Sequence, residues 1–497
     1  MRYRVRLLVP LLVTLLLFQL AAPAQTNDPN KPTWWAKFAH LAENGASGGG
    51  PTASLRTGVN VDVSNECGPQ SETYITINPS RPRMLAAGSN EIFRLPMRGY
   101  FSTDGGGSWG GVDLPLPPPL QGTNDTRFGS DPTLAFDTLG NLFYGFIVVY
   151  FGNGSGVNGT AMAVARSTDG GQSYPLLTVF SFETGSSRFN DKPMITADTN
   201  SVSPFRDNVY VAWDAAVGGS TAGGIRVGRS TDHGVSFSVN RADDKAGPGK
   251  GIGAVPFVGP HGEVYVAWND YKANLIAFNR SFDGGQTWDR QRTIATKVIP
   301  FDIAIPAESF RGALVYPACD TDRSSGPHRG RLYCSWMDQT AAGTTDIFVS
   351  FSDDNGANWS ARVPAGDQLA SPVDRFNHWL SVDPMTGDVN ISFYDTRNDT
   401  TGGRFMTDVY LTRSTNGVTW LSPNVRVTSV SSNERDCNGV FPCAGINYGN
   451  QQGDYEGLVA FGGIAHPIWT DSRRQLEPLP GCRTGLAMEE VFTATVR

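Results

Sequence analysis

Arginine, acidic and tyrosine residues recur in short segments that lie at matching distances from the predicted β-strands of this chain. One set precedes a strand, and its members are Arg127, Asp131, Arg188, Asp191, Arg375, Tyr455 and Glu456. A second set follows a strand, and its members are Asp395, Arg397 and Asp471. Guanidinium groups bind carboxylates in two-point fashion, and carboxyl groups bind hydroxyls or transfer protons. The two sets therefore predict a site for a carbohydrate, above all one that bears a carboxylate.

The elements that must position these residues are pairs of β-strands, repeated seven times along the chain. Each pair is an apolar run, a turn, and a second run that often ends in an aromatic residue and an acid. The residues that close the first runs are Asn78, Asp137, Asp198, Gly259, Asp320, Asp383 and Phe461. Their intervals of about 60 residues, with a longer last one, indicate a repeat architecture. Such units predict an all-β propeller of seven four-stranded blades, with six blades as the alternative.

A second pattern, S-x-D-x-G-x-x-aromatic, falls between the strand pairs. Its central residues are Asp104, Asp169, Asp232, Asp283, Asp354 and, in a shortened copy, Asn416. The Asp or Asn hydrogen-bonds its own turn, and the glycine supplies a positive φ. These motifs resemble the Asp-box, or BNR, repeats of the sialidase superfamily, and the resemblance extends from about Glu72 to the C-terminus. It implies turns between the third and fourth strands, on the face away from the active site.

The resemblance to sialidases also implies roles for the residues of the two sets. Sialidases bind the substrate carboxylate with three arginines, and use a tyrosine nucleophile helped by a glutamate and an aspartate acid/base. The positions that would bind substrate are Arg127, Arg188 and Arg375, together with Asp395, Arg397 and Asp471. The nucleophile would be Tyr455 with Glu456 beside it, and the proton donor would be Asp131 or Asp191.

The chain departs from the sialidase pattern at the Arg-Ile-Pro motif. The nearest match is Phe93-Arg94-Leu95-Pro96, which follows a second strand instead of lying at the first inner strand. Well-known sialidases also have six blades, whereas seven repeats are present here. Arginine and aspartate at equivalent blade positions can equally form ion pairs between blades. A non-catalytic propeller that binds a glycan or an extracellular protein is therefore the alternative.

The seventh repeat ends before its fourth strand. Residues 57–64 alternate like a strand and precede the first repeat, so we expect them to complete the last blade and close the ring. The six cysteines predict disulfides, although the sequence alone leaves several pairings open. The pairs that we expect are Cys67–Cys482, Cys319–Cys334 and Cys437–Cys443.

The N-terminus predicts export from the cytoplasm. Residues 1–24 have the arginines, the apolar run and the Ala-Pro-Ala end of a signal peptide. Residues 25–56 predict a short helix and a Gly-rich linker, and residues 57–497 predict the propeller. The formal charge of −7, or −10 without residues 1–24, argues against nucleic acid. We expect a secreted protein with no membrane span and no required cofactor, although carboxylates could hold Ca²⁺. Its partner would be a carbohydrate or glycoconjugate, or alternatively a protein.

Overall fold

The computed structural model of the chain is a ring of seven four-stranded antiparallel sheets, which we number as blades I to VII. It describes residues 34, 37–38, 41–42, 60–152, 156–185, 188–217, 224–244, 250–309, 311–434, 452–475, 482 and 489–497. The prediction of an all-β propeller with seven blades is confirmed. In blades I to VI the four strands follow one another along the chain, and the first strand of every blade lines the ring axis.

The strand bounds follow the repeat. Blade I contains β2 (Gln70–Ile77), β3 (Leu85–Glu91), β4 (Arg98–Ser102) and β5 (Gly110–Asp113). Blade II contains β6 (Thr126–Phe136), β7 (Leu142–Gly152), β8 (Gly156–Ser167) and β9 (Leu176–Thr184). Blade III contains β10 (Arg188–Ala197), β11 (Val209–Val217), β12 (Gly224–Ser230) and β13 (Ser238–Arg241). Blade IV contains β14 (Gly251–Val258), β15 (Val264–Asp270), β16 (Leu275–Ser281) and β17 (Arg292–Thr296).

A small sheet of β18 (Asp302–Ile303) and β19 (Ala313–Leu314) lies between blades IV and V in the chain. Blade V contains β20 (Ala318–Thr321), β21 (Leu332–Gln339), β22 (Thr345–Ser352) and β23 (Val363–Pro364). Blade VI contains β24 (Arg375–Val382), β25 (Val389–Asp395), β26 (Asp408–Ser414) and β27 (Val425–Arg426). Blade VII contains β28 (Gly457–Phe461), β29 (Ile464–Asp471), β30 (Glu490–Thr493) and β1 (Val61–Asp62).

The second strands carry the largest apolar side chains of the core. Four of them contain a tryptophan that is almost completely buried, namely Trp213, Trp268, Trp336 and Trp469. Burying an aromatic side chain of this size stabilises the folded chain by about 1.5–3 kcal/mol or more. The aromatic residue that ends many of the second runs in the sequence is thus a packing residue.

A β-bulge interrupts the pairing of the first two strands at the same place in blades I, II, III, IV and VI. The residues inside these bulges have positive φ angles, and they are Glu72 (54°), Asp131 (59°), Lys192 (50°), Gly253 (69°) and Asn377 (43°). A left-handed conformation is unfavourable for residues other than glycine, and strain of this kind concentrates at functional sites. Since a bulge changes the direction in which a side chain points, these positions become important for the site below.

The S-x-D-x-G motifs form the turns between the third and fourth strands of blades I to VI. In blade IV, Asp283 accepts hydrogen bonds from the Ser281 hydroxyl at 2.7 Å and from the Thr287 amide at 2.9 Å. Burial alone would raise the pKa of Asp283, but these hydrogen bonds outweigh it and lower the pKa to about 2. The turns between first and second strands lie at the same end of each blade. We call this end of the ring the lower face, and the opposite end the upper face.

The ring is closed by its N-terminal strand, as predicted. Val61 and Asp62 of β1 pair with Thr493 and Phe492 of β30. A disulfide between Cys67 and Cys482 joins the two ends of the propeller, and a second one links Cys319 to Cys334 across β20 and β21. Both confirm the expected pairs and are compatible with an oxidising compartment. The third expected pair, Cys437–Cys443, lies outside the described residues.

One residue of the predicted repeat needs correction. In blade V the residue that closes the first strand is Asp322 and not Asp320. The amide of Asp322 donates to the Arg331 carbonyl at 3.0 Å, as the amide of Asp383 donates to the Asp388 carbonyl at 2.9 Å in blade VI. The two aspartates are two residues apart on one strand, so the sequence pattern alone fits either of them.

The described N-terminal residues pack against blades II and III. The Trp34 indole donates to the Asn190 carbonyl at 3.3 Å and contacts Phe189 edge to face, with the ring centroids 5.9 Å apart. The Phe38 amide donates to the Trp34 carbonyl at 3.0 Å, as in a helical turn. Most of the predicted segment 25–56 and all of residues 1–24 lie outside the described residues. In the part of the chain that is described, no helix has the length and apolar character needed to cross a membrane.

Candidate functional site

Seven equivalent positions of the repeat meet at the ring axis near the upper face. Each lies the same distance before the residue that closes the first strand, and they are Glu72, Asp131, Lys192, Gly253, Tyr316, Asn377 and Tyr455. At Gly253 a Cβ atom would lie 2.0 Å from the Tyr316 ring, so the missing side chain makes room for that tyrosine. We call Glu72, Asp131, Lys192, Tyr316 and Tyr455 the axial cluster.

Lys192 holds the axial cluster together. Its ammonium nitrogen lies 2.9 Å from the centroid of the Tyr455 ring and 4.6 Å from that of Tyr316. Among the described residues this nitrogen has no hydrogen-bond partner, although the side chain is completely buried. Burial lowers the pKa of Lys192, and the nearby Glu72 counters part of this effect. A buried ammonium that relies on aromatic rings and on carboxylates at longer range is able to bind an incoming anion.

Glu72 and Asp131 are held by the same asparagine. Asn90 donates its side-chain NH₂ to one carboxyl oxygen of Glu72, and its carbonyl oxygen accepts from the Asp131 amide at 2.7 Å. The other carboxyl oxygen of Glu72 has no hydrogen-bond partner among the described residues. Burial raises the pKa of Glu72 well above its ordinary value, and the carboxylates of Asp454 and Asp131 raise it further. Burial therefore favours the neutral form of the Glu72 carboxyl group, in which it can donate a proton.

A loop above the axis adds a guanidinium group. Arg311, in the loop that carries β18 and β19, donates from Nε to Asp454 Oδ1 at 2.7 Å, and both residues are buried. Asp454 directly precedes Tyr455, so this ion pair ties the loop to the blade VII side of the axial cluster. The same loop carries Glu308, whose pKa is raised well above its ordinary value by burial and by Glu434.

Tyr455 lies inside the axial cluster but does not have a free hydroxyl. The hydroxyl donates to the Pro132 carbonyl at 3.1 Å, and only 2% of the residue is exposed. Burial and the charge of Glu72 raise the pKa of Tyr455 well above its ordinary value. Asp191, the other candidate proton donor, lies on the blade III side, where its charge acts on Lys192 and Tyr316. The structure thus brings Tyr455, Asp131 and Asp191 together.

Glu456 does not join them. Successive residues of a strand point to opposite sides, and Glu456 is directed toward Ser392 and Tyr394 of blade VI. It is fully buried, and its carboxyl group lies beside the Ser392 side chain. Burial raises the pKa of Glu456 well above its ordinary value.

We expect the variant Glu456→Gln to be less sensitive to high pH than the natural protein. The folded protein keeps the Glu456 proton, whereas the unfolded chain releases it above pH 4.5, the ordinary pKa. The free energy of unfolding therefore falls as the pH rises, by at most about 1.4 kcal/mol per pH unit from this group. Glutamine removes that loss. The free energy of unfolding in urea should therefore differ less between pH 5 and pH 8 for the variant than for the natural protein.

The matched control for this prediction is Asp283→Asn, because the pKa of Asp283 is shifted the other way. Its pKa is lowered to about 2, so its contribution to stability is present above its ordinary pKa of 3.8 and is lost as the pH falls below that value. Its removal should leave the difference between pH 5 and pH 8 unchanged. Equal pH dependence of Glu456→Gln and the natural protein would contradict the buried neutral state of Glu456.

Arg375 is bound by carboxylates of its own surroundings and not by the axial cluster. It donates to Asp395 at 2.9 Å, to Asp346 at 3.0 Å and to Asp367 at 2.7 Å, and 1% of the residue is exposed. Arg397 donates to Asp367 at 2.9 Å and to Asp395 at 2.6 Å. We call these five residues the blade VI ion-pair network. It accounts for three predicted substrate contacts, Arg375, Asp395 and Arg397, by interactions within the protein.

The other two predicted arginines do not complete a clamp in the described structure. Arg127 donates to the Pro117 carbonyl at 2.9 Å and to the Asp125 carbonyl at 2.6 Å. The Arg188 backbone pairs with Val217 at the start of β10, and its side chain lies outside the described residues. The described residues therefore do not show Arg127, Arg188 and Arg375 converging beside Tyr455.

Two further predicted residues are bound within the protein. Asp471 accepts from the Trp469 indole at 2.9 Å and from Arg473 at 2.6 Å. Arg94 of the Phe-Arg-Leu-Pro segment donates to Glu66 at 3.1 Å. In the described part of the chain, no group of three or more His, Cys, Asp or Glu side chains is placed to hold a metal ion.

Three residues of the axial cluster, Glu72, Lys192 and Tyr316, were missed in the sequence. Lys192 directly follows the predicted Asp191, but its own role depends on its position at the ring axis. The pattern that could have found them is the fixed distance before the residue that closes each first strand. Glu72, Asp131 and Lys192 are the only charged residues at the seven positions so defined.

The sequence matches no protein-family model and no curated protein. Among solved structures, the chain is similar to a Hadza microbial sialidase, with 14% identity over 65% of this chain and 63% of that chain, and a TM-score of 0.45. It is similar to a leech intramolecular trans-sialidase, with 14% identity over 74% of this chain and 70% of that chain, and a TM-score of 0.46. It is also similar to a GH93 α-L-arabinofuranosidase of Fusarium graminearum, with 12% identity, 71% and 97% coverage, and a TM-score of 0.44. At these identities the likeness concerns the propeller fold alone, and the chain spans 63% of the first structure's length.

Proposed function

We propose that this chain is an exported propeller that binds extracellular carbohydrate at the upper face and hydrolyses a glycosidic bond at the axial cluster. The observation that carries the proposal is the convergence of Glu72, Asp131 and Lys192 at the ring axis, where Asn90 binds the first two residues and the Lys192 amide donates to the Asp131 carboxylate at 3.3 Å. Glu72, Asp131 and Lys192 come from three different blades, and each sits in a bulge with a positive φ. Packing of the blades does not require three such residues at one point, whereas acid/base chemistry does.

In this proposal each residue of the axial cluster has a distinct task. Glu72 donates a proton to the leaving oxygen, since burial favours the protonated form of its carboxyl group. Asp131 is the second carboxyl group; its carboxylate accepts from the Lys192 amide at 3.3 Å, and its backbone amide donates to Asn90. Lys192 binds the carboxylate of an acidic sugar. Tyr455 stays the candidate nucleophile, which would first have to release the Pro132 carbonyl.

A second candidate function is binding of a glycan without hydrolysis. It is favoured by the burial of Tyr455 and by the blade VI ion-pair network, which uses Arg375 and Arg397 for the structure of the protein. For both candidates we propose export through residues 1–24, with the predicted helix and Gly-rich linker of residues 25–56 preceding the propeller. The two functions share a ligand class and differ in turnover.

The test is the hydrolysis of a panel of aryl glycosides, including an α-sialoside and an α-L-arabinofuranoside. We expect Glu72→Gln to lower kcat/KM by a factor of about 10² to 10⁴, because an amide has no proton to donate. The fold should survive, since the glutamine oxygen can still accept from Asn90. The loss should be smaller for a substrate with a good leaving group, which needs little protonation.

The control variant is Glu263→Gln, which makes the same chemical change on the lower face, where Glu263 accepts a hydrogen bond from the His261 amide at 2.9 Å. It should keep full activity. If the natural protein cleaves no member of the panel but a glycan array shows binding that Lys192→Met abolishes, the second candidate replaces the first. Full hydrolytic activity of Glu72→Gln would contradict both the catalytic role and the binding role of the axial cluster.

A further inference from the structure

A cavity of about 160 Å³ occupies the ring axis on the side of the lower face. The first strands of all seven blades line it, together with residues of the lower-face turns such as Thr199 and Arg323. Trp379 also lines it, with its ring centroid 6.4 Å from that of Tyr455, and Tyr74 packs edge to face on Trp379 at 5.4 Å. These two aromatic side chains separate the cavity from the axial cluster. The axis therefore has two compartments, and the lower one belongs to the opposite face of the ring.

Among the described residues that line this cavity, two are charged, Asp320 and Arg323. The Asp320 carboxylate accepts hydrogen bonds from the Thr321 amide at 2.8 Å and from the Val382 amide at 2.9 Å, so it serves the backbone of blades V and VI. Arg323 reaches Asp320 with one nitrogen at the long distance of 3.5 Å. Its Nε is buried and has no hydrogen-bond partner among the described residues. The guanidinium group thus keeps unused donors at the cavity.

The repeat shows that this pair is not part of the blade architecture. The positions equivalent to Asp320 line the same cavity in every blade, and they are Thr76, Ala135, Thr196, Phe257, Ser381 and Val459. The positions equivalent to Arg323 are Pro79, Thr138, Thr199, Pro260, Pro384 and Gly462. None of these twelve residues is charged. Six blades pack without a charge at either position, so blade packing does not explain the pair in blade V.

We propose that the lower compartment is a binding site for a small carboxylic acid with a compact apolar body. The Arg323 guanidinium would bind the carboxylate at the mouth, because it is the cationic group that lines the cavity and Asp320 is already engaged by backbone amides. The apolar body would lie against the aliphatic side chains of the wall, such as Leu134 and Val255, and the edges of Tyr74 and Trp379. An apolar cavity of about 150 Å³ holds a benzene ring, so a ligand of that size fits this volume. This site goes beyond the proposed function, since it lies on the other face and uses none of the axial cluster.

The experiment is calorimetric titration of the full-length protein with benzoate and with benzamide. The two probes have nearly the same shape, and they differ in the charge that Arg323 would recognise. We expect benzoate to bind with a dissociation constant in the micromolar to millimolar range, and benzamide to bind at least about tenfold more weakly. Arg323→Gln should weaken benzoate by about tenfold or more and leave benzamide unchanged.

Two further variants make the result specific. Arg206→Gln removes an arginine from a lower-face turn where its side chain is 46% exposed, so it should not change benzoate binding. Val459→Phe should fill the cavity from blade VII and abolish binding of both probes without any change of charge. Equal affinity for benzoate and benzamide, or unchanged benzoate affinity in Arg323→Gln, would overturn the proposal, and so would undetectable benzoate binding. These results do not depend on hydrolysis. Arg323→Gln should hydrolyse aryl glycosides as the natural protein does.

Discussion

Replacing Cys67 and Cys482 by alanine is expected to lower the free energy of unfolding by about 4 kcal/mol or more. The bridge joins residues that are 415 positions apart, so it constrains nearly the whole propeller in the unfolded state. It also supports a short element, because β1 contributes two residues to blade VII, Val61 and Asp62. Without the bridge, the strand that covers the edge of the last blade is held by few hydrogen bonds. Urea unfolding under non-reducing conditions measures the effect.

The matched control is the pair Cys319→Ala and Cys334→Ala. This bridge links residues 15 positions apart on paired strands, and a loop of that size corresponds to a loss of about 3 kcal/mol. We expect the Cys67 and Cys482 variant to be the less stable of the two, and to unfold from the ends of the chain first. Hydrogen exchange should show this as early loss of protection in blade VII. A larger loss of unfolding free energy for the Cys319 and Cys334 variant would argue against the ring closure as the least stable part of the propeller.

Arg375→Met is expected to lower the free energy of unfolding by about 3–5 kcal/mol. The substitution keeps the length of the side chain but leaves the carboxylates of Asp346, Asp367 and Asp395 without their shared cation. All three are buried or nearly so, and Arg397 reaches two of them. Removing one member of a buried ion-pair network costs much more than the pair itself contributes, since the remaining charges lose their compensation.

An exposed arginine provides the comparison for this prediction. Arg292 lies 3.8 Å from Asp289, and both side chains are more than a third exposed, so Arg292→Met should cost less than about 1 kcal/mol. Adding Asp346→Asn to Arg375→Met should recover part of the lost stability by removing one unpaired charge. A small effect of Arg375→Met, together with a large loss of ligand binding, would instead return Arg375 to the role of a substrate contact.

The sequence was sufficient to predict the ring because its information is periodic. Runs such as Val209–Val217 and Val389–Asp395 recur at one spacing, and the leftover strand near Val61 has one free edge to pair with. The two described disulfides follow from the same placement. Periodicity also explains the error at Asp320, since two acids at neighbouring strand positions fit the same pattern.

The site could be predicted only in part, because its members meet through the geometry of the ring. Glu72 and Lys192 are separated by about two repeats, and only the bulges direct both side chains to the axis. Arg375 illustrates the converse. Arg375 looks like a ligand-binding arginine in the sequence, while the three acids that bind it lie at distant positions of the chain. A sequence shows that an arginine is present but not which acid it faces.

The glycine at one of the seven axial positions makes the ring asymmetric about its axis. Seven similar blades around an axis would present a ligand with seven interchangeable orientations. Here Gly253 yields its place to the Tyr316 ring of the next blade, while the charged residues Glu72, Asp131 and Lys192 come from three consecutive blades, I to III. A molecule on the axis therefore meets different side chains on blades I to III from those on the remaining blades. Although the seven blades are nearly alike, an amphipathic ligand would therefore fit its surroundings in only one orientation about the ring axis.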